Sequence, residues 1–203
     1  MDSERAIRQL DALSKQGSEM RLAAEDWASD FQILVSTIMS ARTRDEITIP
    51  VAEALFAKYS NAQKLANARL DDIKRIIRPI NFYNNKAKNI MNCAKALINN
   101  HKGIVPHDID SLLALPGVGR KTANVFLIEV GKEGLGVDTH VAYCSQKLGW
   151  TKHSNPHKIE IDLKALFPKK YWNKINTTLV RFGKTYTSRK QKDALLSKIK
   201  NIK

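Results

Sequence analysis

Apolar residues recur three or four positions apart along almost the whole chain, which is the spacing of one face of an α-helix. Glycine, proline or asparagine separates the stretches that show this spacing. The pattern predicts helices over residues 51–59, 70–77, 86–99, 110–115, 122–130, 139–148, 157–166 and 171–182. Because no stretch shows the apolar–polar alternation of a half-buried strand, we expect an all-α fold.

A glycine-rich segment, Leu-Pro-Gly-Val-Gly-Arg-Lys, joins two of these predicted helices. Pro116 ends the first helix, and two glycines one residue apart permit a tight turn whose backbone N–H groups face outward. Lys121 lies at the start of the second helix, where unpaired N–H groups and the helix dipole attract anions. The segment therefore predicts a hairpin that binds a phosphate. The residues expected to make this contact are Gly117, Val118, Gly119 and Arg120.

Lys121 and Asp138 are the candidate catalytic residues. A lysine after such a hairpin is, in a basic protein, more often a phosphate contact than a nucleophile. Asp138 follows seventeen residues later and opens another helical stretch. Aspartate is a favoured N-cap, so Asp138 taken alone has an ordinary structural interpretation. Together, however, the two residues supply an amine nucleophile and a carboxylate that can stabilise positive charge.

The hairpin, the lysine and the downstream aspartate resemble the helix-hairpin-helix (HhH-GPD) DNA glycosylase superfamily, and within it the endonuclease III family. The resemblance covers roughly residues 31–189. It implies a two-lobed, all-α fold with the active site in the cleft between the lobes. Residues 23–133 would form a six-helix barrel that ends in the hairpin, and residues 1–22 plus 134–203 would form the second helical lobe.

Two further segments, residues 42–45 and residues 80–87, are similar to the family, and the resemblance implies how the protein holds distorted DNA. In the segment 80–87, Asn81 stands where the family commonly has glycine. Asparagine tolerates the left-handed conformation better than other residues with a side chain, so we expect the turn to survive with Asn81 in that conformation. The resemblance implies that Phe82 is the apolar wedge that enters the base stack and that Arg42 fills the gap left by an extruded base.

The resemblance implies a bifunctional enzyme of base excision repair, a DNA glycosylase that is also an abasic-site (AP) lyase. Lys121 would attack C1′ of an extruded nucleotide while Asp138 stabilises positive charge on the sugar. The resulting Schiff base acidifies the 2′ proton and permits strand cleavage by β-elimination. The implied substrates are oxidised or ring-saturated pyrimidines in duplex DNA.

The cysteine content departs from the family. Endonuclease III relatives usually carry four cysteines near the C-terminus that hold a four-iron, four-sulfur cluster, whereas this chain has Cys93 and Cys144 alone. We therefore expect no cluster and no other cofactor, and the spacing of the histidines indicates no metal site. The lysine-rich segment 191–203 is interpreted either as a replacement cap that also contacts phosphates or as a solvated, frayed tail.

Charge and hydropathy agree with a DNA partner. The chain has 34 Lys plus Arg against 20 Asp plus Glu, a formal net charge of +14, as expected of a protein that binds a polyanion. The apolar run at 31–39 is too short to span a bilayer, and the N-terminus lacks the order of a secretory signal. We therefore expect a monomer that works in the cytoplasm, with the genome, and has no membrane role.

Three alternatives remain open. A monofunctional mismatch or adenine glycosylase shares this fold and the aspartate, but its relatives place a different residue at the position of Lys121. A non-catalytic helix-hairpin-helix binding module needs neither Lys121 nor Asp138. The hypothesis of a basic ribosome-associated or structural protein explains the positive charge and no other feature of the sequence.

Overall fold

The computed structural model describes residues 2–202, and these residues contain helices and no strand, which confirms the all-α prediction. The α-helices are α1 (Ser3–Ser14), α2 (Asp30–Ser40), α3 (Asp45–Lys58), α4 (Ala62–Ala66), α5 (Leu70–Ile76), α6 (Tyr83–His101), α7 (Ile109–Leu113), α8 (Arg120–Glu129), α9 (Thr139–Leu148), α10 (Pro156–Leu166), α11 (Trp172–Thr185) and α12 (Arg189–Lys200). A 3-10 turn covers Lys169–Tyr171. Within the described part of the chain, no helix is both long enough and apolar enough to cross a membrane.

Helix α3 shows the largest difference from the predicted boundaries. The apolar spacing places its start at residue 51, after Pro50, whereas the helix begins at Asp45 and contains the proline. The early start is favoured by two carboxylates in the first turn, Asp45 and Glu46, which interact with the positive end of the helix dipole. The predicted start of this helix at residue 51 was therefore wrong.

The chain divides into two compact units. One is continuous and covers Arg21–Lys132, with helices α2 to α8. The other joins residues up to Met20 to residues from Glu133 onward, with α1 and α9 to α12. We call them the continuous unit and the terminal unit.

Helix α2 lies at the centre of the continuous unit. Its residues from Ile33 to Met39 are all buried, which is the property of a helix that is surrounded by other helices. It packs against α3, α6 and α8, while α4 lies along α6. This arrangement places the C-terminus of α2, the N-terminus of α6 and the N-terminus of α8 on a shared core.

In the terminal unit, the C-terminal helix α12 packs against α1 and α9. Leu196 and Ile199 are buried there. From α1, the Arg5 guanidinium donates to the carbonyl oxygens of Lys200 and Ile202 at 2.7 and 2.8 Å. Residues 191–200 of the C-terminal segment are therefore part of a packed helix, and the frayed-tail alternative was wrong for them, while Lys203 lies outside the described residues. The contact of this segment with phosphates stays a prediction.

Candidate active site

The hairpin between α7 and α8 is held from inside by its own apolar residues. Leu115 and Val118 are buried, and the Val118 N–H donates to the Leu115 carbonyl at 3.1 Å, which closes the turn. Gly117 is left-handed, with φ of +81°, and a Cβ at that position would lie 2.8 Å from the Cβ of Asn89 in α6. Both backbone conformation and space thus require glycine at 117. The Val118 N–H points inward, not outward as the sequence pattern indicates.

Gly119 differs from Gly117, because nothing inside the protein requires a glycine there. It is the N-cap of α8, with φ of −94°, and an added Cβ would meet no atom within 4 Å. No side chain caps the helix, and its first N–H groups have no acceptor within the helix. Gly119, Arg120 and Lys121 are exposed. The N-terminus of α8 is therefore open to an anion from outside.

Lys121 is the second residue of α8. The next two residues, Thr122 and Ala123, are buried and anchor the helix in the core, while the lysine side chain is exposed. Within the described continuous unit, no carboxylate lies within ion-pair distance of its amine. The amine is thus accessible and is not engaged by a carboxylate of its own unit.

Asp138 is the N-cap of α9, as its position predicts. Its Oδ1 accepts hydrogen bonds from the backbone N–H groups of His140 and Val141, both at 2.9 Å. The residue is half-buried, and its Oδ2 has no hydrogen-bond partner among the described residues of the terminal unit. One carboxylate oxygen therefore caps the helix, and the other remains available for chemistry.

Two asparagines of α11 hold the segment that leads to Asp138, and sequence reasoning missed both. The Asn176 side chain is buried and donates to the Gly136 carbonyl at 2.6 Å. The Asn173 side-chain oxygen accepts from the Gly134 N–H at 3.2 Å. Their spacing of three residues puts both on one face of α11, and polar residues on a face turned to the core are the signal that could have found them.

His140 lies against Gly183 of α11. A Cβ on that glycine would be 2.2 Å from His140 Nδ1 and 2.6 Å from its Cγ, so any side chain at 183 would displace the imidazole. The glycine thereby allows α11 to approach the first turn of α9, where Asp138 is fixed. The role that the structure gives to His140 is therefore this packing contact.

Arg42 and Phe82 lie side by side in the continuous unit, although forty residues separate them in sequence. The Arg42 guanidinium carbon is 5.8 Å from the centroid of the Phe82 ring, and 60% of Phe82 is exposed. Both residues are left-handed, with φ of 56° and 59°. The expectation that Asn81 takes the left-handed conformation was wrong: its side chain instead donates to the Arg42 carbonyl at 2.5 Å.

Lys86 is a buried lysine whose contacts with the end of α2 were not predicted from the sequence. It is 7% exposed, and its Nζ donates to the Met39 carbonyl at 2.6 Å, the Ala41 carbonyl at 2.5 Å and Thr43 Oγ1 at 3.2 Å. Burial lowers its pKa to about 8, but an amine enclosed in this way cannot reach a substrate. A lysine on the apolar face of α6, one turn before Ile90, is the sequence signal that could have identified this buried amine.

The cysteines do not fit an iron–sulfur cluster. Cys93 lies in α6 and Cys144 in α9, and both are fully buried. Burial raises the pKa of each thiol to about 12, whereas cluster ligands are thiolates. Among residues 2–202, no group of three or more His, Cys, Asp or Glu side chains is placed to hold a metal ion.

Comparison of the sequence with known families and proteins gives a consistent result. Residues 35–169 match the model of the HhH-GPD superfamily base excision DNA repair proteins. Endonuclease III of Thermotoga maritima is 42% identical over 155 residues, which cover 76% of this chain and 73% of that protein. Endonuclease III of a Synechocystis species is 40% identical over 161 residues, covering 78% of this chain and 74% of the relative.

Solved structures agree with the sequence comparison. A trapped covalent intermediate of endonuclease III with DNA superposes with a TM-score of 0.85 at 30% identity, covering 93% of this chain and 89% of that one. A thermostable thymine-DNA glycosylase superposes with a TM-score of 0.82 over 97% of this chain and 94% of that one; at 19% identity it shows the fold alone. The chain therefore belongs to the HhH-GPD superfamily of base excision DNA repair proteins, and within it to the endonuclease III family.

Proposed function

We propose that the protein is a base excision repair enzyme that acts as a DNA glycosylase and as an abasic-site lyase, with Lys121 as the nucleophile. The observation that carries the proposal is the accessible amine of Lys121 at the open N-terminus of α8, directly after the hairpin. Neighbouring N–H groups attract the phosphates of the substrate strand and bring its sugar to the amine. Relatives named endonuclease III support the same chemistry.

The reaction begins with extrusion of a damaged base, which exposes C1′ of its sugar. Neutral Lys121 attacks C1′, the bond from C1′ to the base breaks, and the base leaves with the electron pair and takes up a proton. Ring opening gives a Schiff base between the amine and C1′. The Schiff base acidifies the 2′ proton, and loss of this proton expels the 3′ phosphate by β-elimination.

Asp138 has two duties in this proposal. Oδ1 keeps the first turn of α9 in place, and Oδ2 stabilises the positive charge that develops on the sugar as the base leaves. Because a carboxylate is needed for charge and a side-chain oxygen is enough for capping, the two duties are separable by mutation.

The proposed DNA contacts follow from the exposure of the hairpin residues and from the glycines, which have no side chain in the way of a phosphate. Gly119 leaves room for a phosphate against the α8 N-terminus, Arg120 adds a positive charge, and Gly117 shapes the turn. Arg42 and Phe82 occupy the space vacated by the extruded nucleotide.

We further propose that the substrates are oxidised or ring-saturated pyrimidines in duplex DNA, removed by a monomer that works in the cytoplasm with the genome. The enzyme would need no iron–sulfur cluster, because α12 packs on α1 and α9 and supplies buried apolar contacts to the terminal unit.

Borohydride trapping on duplex DNA with a preformed abasic site tests the function. Wild type and the matched variant Lys95→Gln, an exposed lysine on α6, should give a covalent adduct, and Lys121→Gln should give none. A wild type that releases a ring-saturated pyrimidine from duplex DNA but gives no adduct on abasic DNA would be a monofunctional glycosylase. A folded wild type that binds DNA but shows neither activity would be a binding module. An adduct with Lys121→Gln would assign the nucleophile to another residue.

A further inference from the structure

Arg42 and Phe82 hold a conformation that neither residue favours. The left-handed region brings Cβ close to the backbone carbonyl, so a residue with a side chain stays there only when its surroundings enforce it. Both residues adopt it, and both are exposed, so burial of their own side chains does not hold them. The enforcing contacts must therefore be made with the backbone of these residues and of their neighbours along the chain.

Lys86 supplies these contacts to Arg42. An ammonium has three N–H donors, and Lys86 directs them at three acceptors: Met39 O, Ala41 O and Thr43 Oγ1. Ala41 and Thr43 are the residues immediately before and after Arg42. The positive charge also lies at the C-terminal end of α2, whose last carbonyls lack partners within the helix.

Phe82 is joined to the same group of contacts. The Asn81 side chain donates to the Arg42 carbonyl, and its backbone N–H donates to Thr43 Oγ1 at 3.1 Å, the oxygen that also accepts from Lys86. Lys86 itself lies one turn after Phe82 in α6, and its backbone N–H donates to the Phe82 carbonyl at 3.1 Å. The loop after α2 and the turn before α6 are therefore fixed to each other.

We propose that Lys86 is a positioning residue that presents Arg42 and Phe82 together to the DNA duplex and thereby sets discrimination between damaged and undamaged DNA. It touches neither DNA nor the reacting atoms. This inference rests on the proposed function, which assigns Arg42 and Phe82 to the gap left by the extruded base. The choice of residue supports it, because a buried ammonium bonded to uncharged oxygens is less favourable at this core position than an apolar side chain.

The test compares Lys86→Met with Lys88→Met, which changes an exposed lysine of the same helix. Affinity is measured for duplex DNA with a tetrahydrofuran abasic analogue and for undamaged duplex. Lys86→Met should lower the ratio of the two affinities by about tenfold, a size typical of residues that share one hydrogen-bond network. Lys88→Met should leave the ratio unchanged. An unchanged ratio in Lys86→Met would overturn the proposal.

A double-mutant cycle separates positioning from general destabilisation. If Lys86 acts through the pair, adding Lys86→Met to Arg42→Ala/Phe82→Ala should lower discrimination no further. An additional loss of the full size would overturn the proposal. Should Lys86→Met fail to fold, Thr43→Val removes the oxygen that accepts from both Lys86 and Asn81 and should lower discrimination in the same direction. An unchanged ratio in folded Thr43→Val would count against it.

Trapping on preformed abasic DNA keeps this inference distinct from the proposed function. At saturating DNA, Lys86→Met should trap at the wild-type rate, because Lys121 is unaltered. A wild type that discriminates but does not trap, with discrimination lost in Lys86→Met, would support the positioning role and overturn the lyase. A wild type that traps but does not discriminate would overturn the positioning role and leave the lyase standing. A wild type that does neither would overturn both.

Discussion

Asp138 offers a test in which stability and catalysis change by different amounts. In Asp138→Asn the side-chain oxygen remains, so the hydrogen bonds from the His140 and Val141 N–H groups survive, while the charge is lost. In Asp138→Ala both the cap and the charge are lost. A comparison of the two variants therefore isolates the charge from the cap.

The expected magnitudes follow from these contacts. Removing an N-cap costs about 1 kcal/mol of unfolding free energy, which for a chain of this size lowers Tm by about 2–4 °C. Replacing Asp138 with asparagine removes only the interaction of the charge with the helix dipole, about 0.3–1 kcal/mol. Loss of a charge that stabilises the transition state should slow base release by roughly 100-fold or more in both variants.

Single-turnover release of a ring-saturated pyrimidine from duplex DNA measures the catalytic effect, and thermal unfolding measures the structural one. Cleavage of a preformed abasic site is the internal control, because no base leaves in that reaction and it should fall far less. The reasoning would be refuted by an Asp138→Asn variant that keeps base release within a few-fold of wild type, since Asp138 would then be a cap alone. Equal losses in both reactions would likewise indicate a structural role.

Four further outcomes are expected. Gly117→Ala should unfold at lower temperature, because its backbone is left-handed and crowded, whereas Gly119→Ala should keep wild-type Tm and bind duplex DNA more weakly. Lys→Gln changes at Lys198 and Lys200, both exposed on α12, should lower the slope of log affinity against log salt by about 0.9 for each phosphate contact; an unaltered slope would exclude the helix from the interface. Prolonged chelation should leave base release and trapping undiminished, and stoichiometric iron in active protein would contradict this. Folding lowers the pKa of Lys86 from 10.5 to about 8. Between these two pH values the unfolded chain binds more protons than the folded chain, so Lys86 makes the free energy of unfolding rise with pH. Tm measured across this pH range should show that this contribution is missing in Lys86→Met.

What the sequence alone determined are the features set by neighbours along the chain. Helical spacing, the glycines of the hairpin, Lys121 at a helix start and Asp138 as a cap all depend on residues within about four positions of one another. Local backbone geometry and hydrogen bonding decide such features, so the pattern of residues is enough to predict them.

Tertiary structure decided the features that join distant segments. The contacts of Lys86 and Asn81 with the end of α2 and the loop after it span 38 to 47 residues, and Asn176 reaches Gly136 across 40. Asn81 was expected to be left-handed from its own propensity, yet its side chain is needed for the Arg42 carbonyl, and Phe82 takes the strained conformation instead. Such choices depend on how α2, α6 and α11 pack. A long-range hydrogen bond is similar in free energy to a local conformational preference and can therefore reverse it, and the pattern of neighbouring residues does not record that packing.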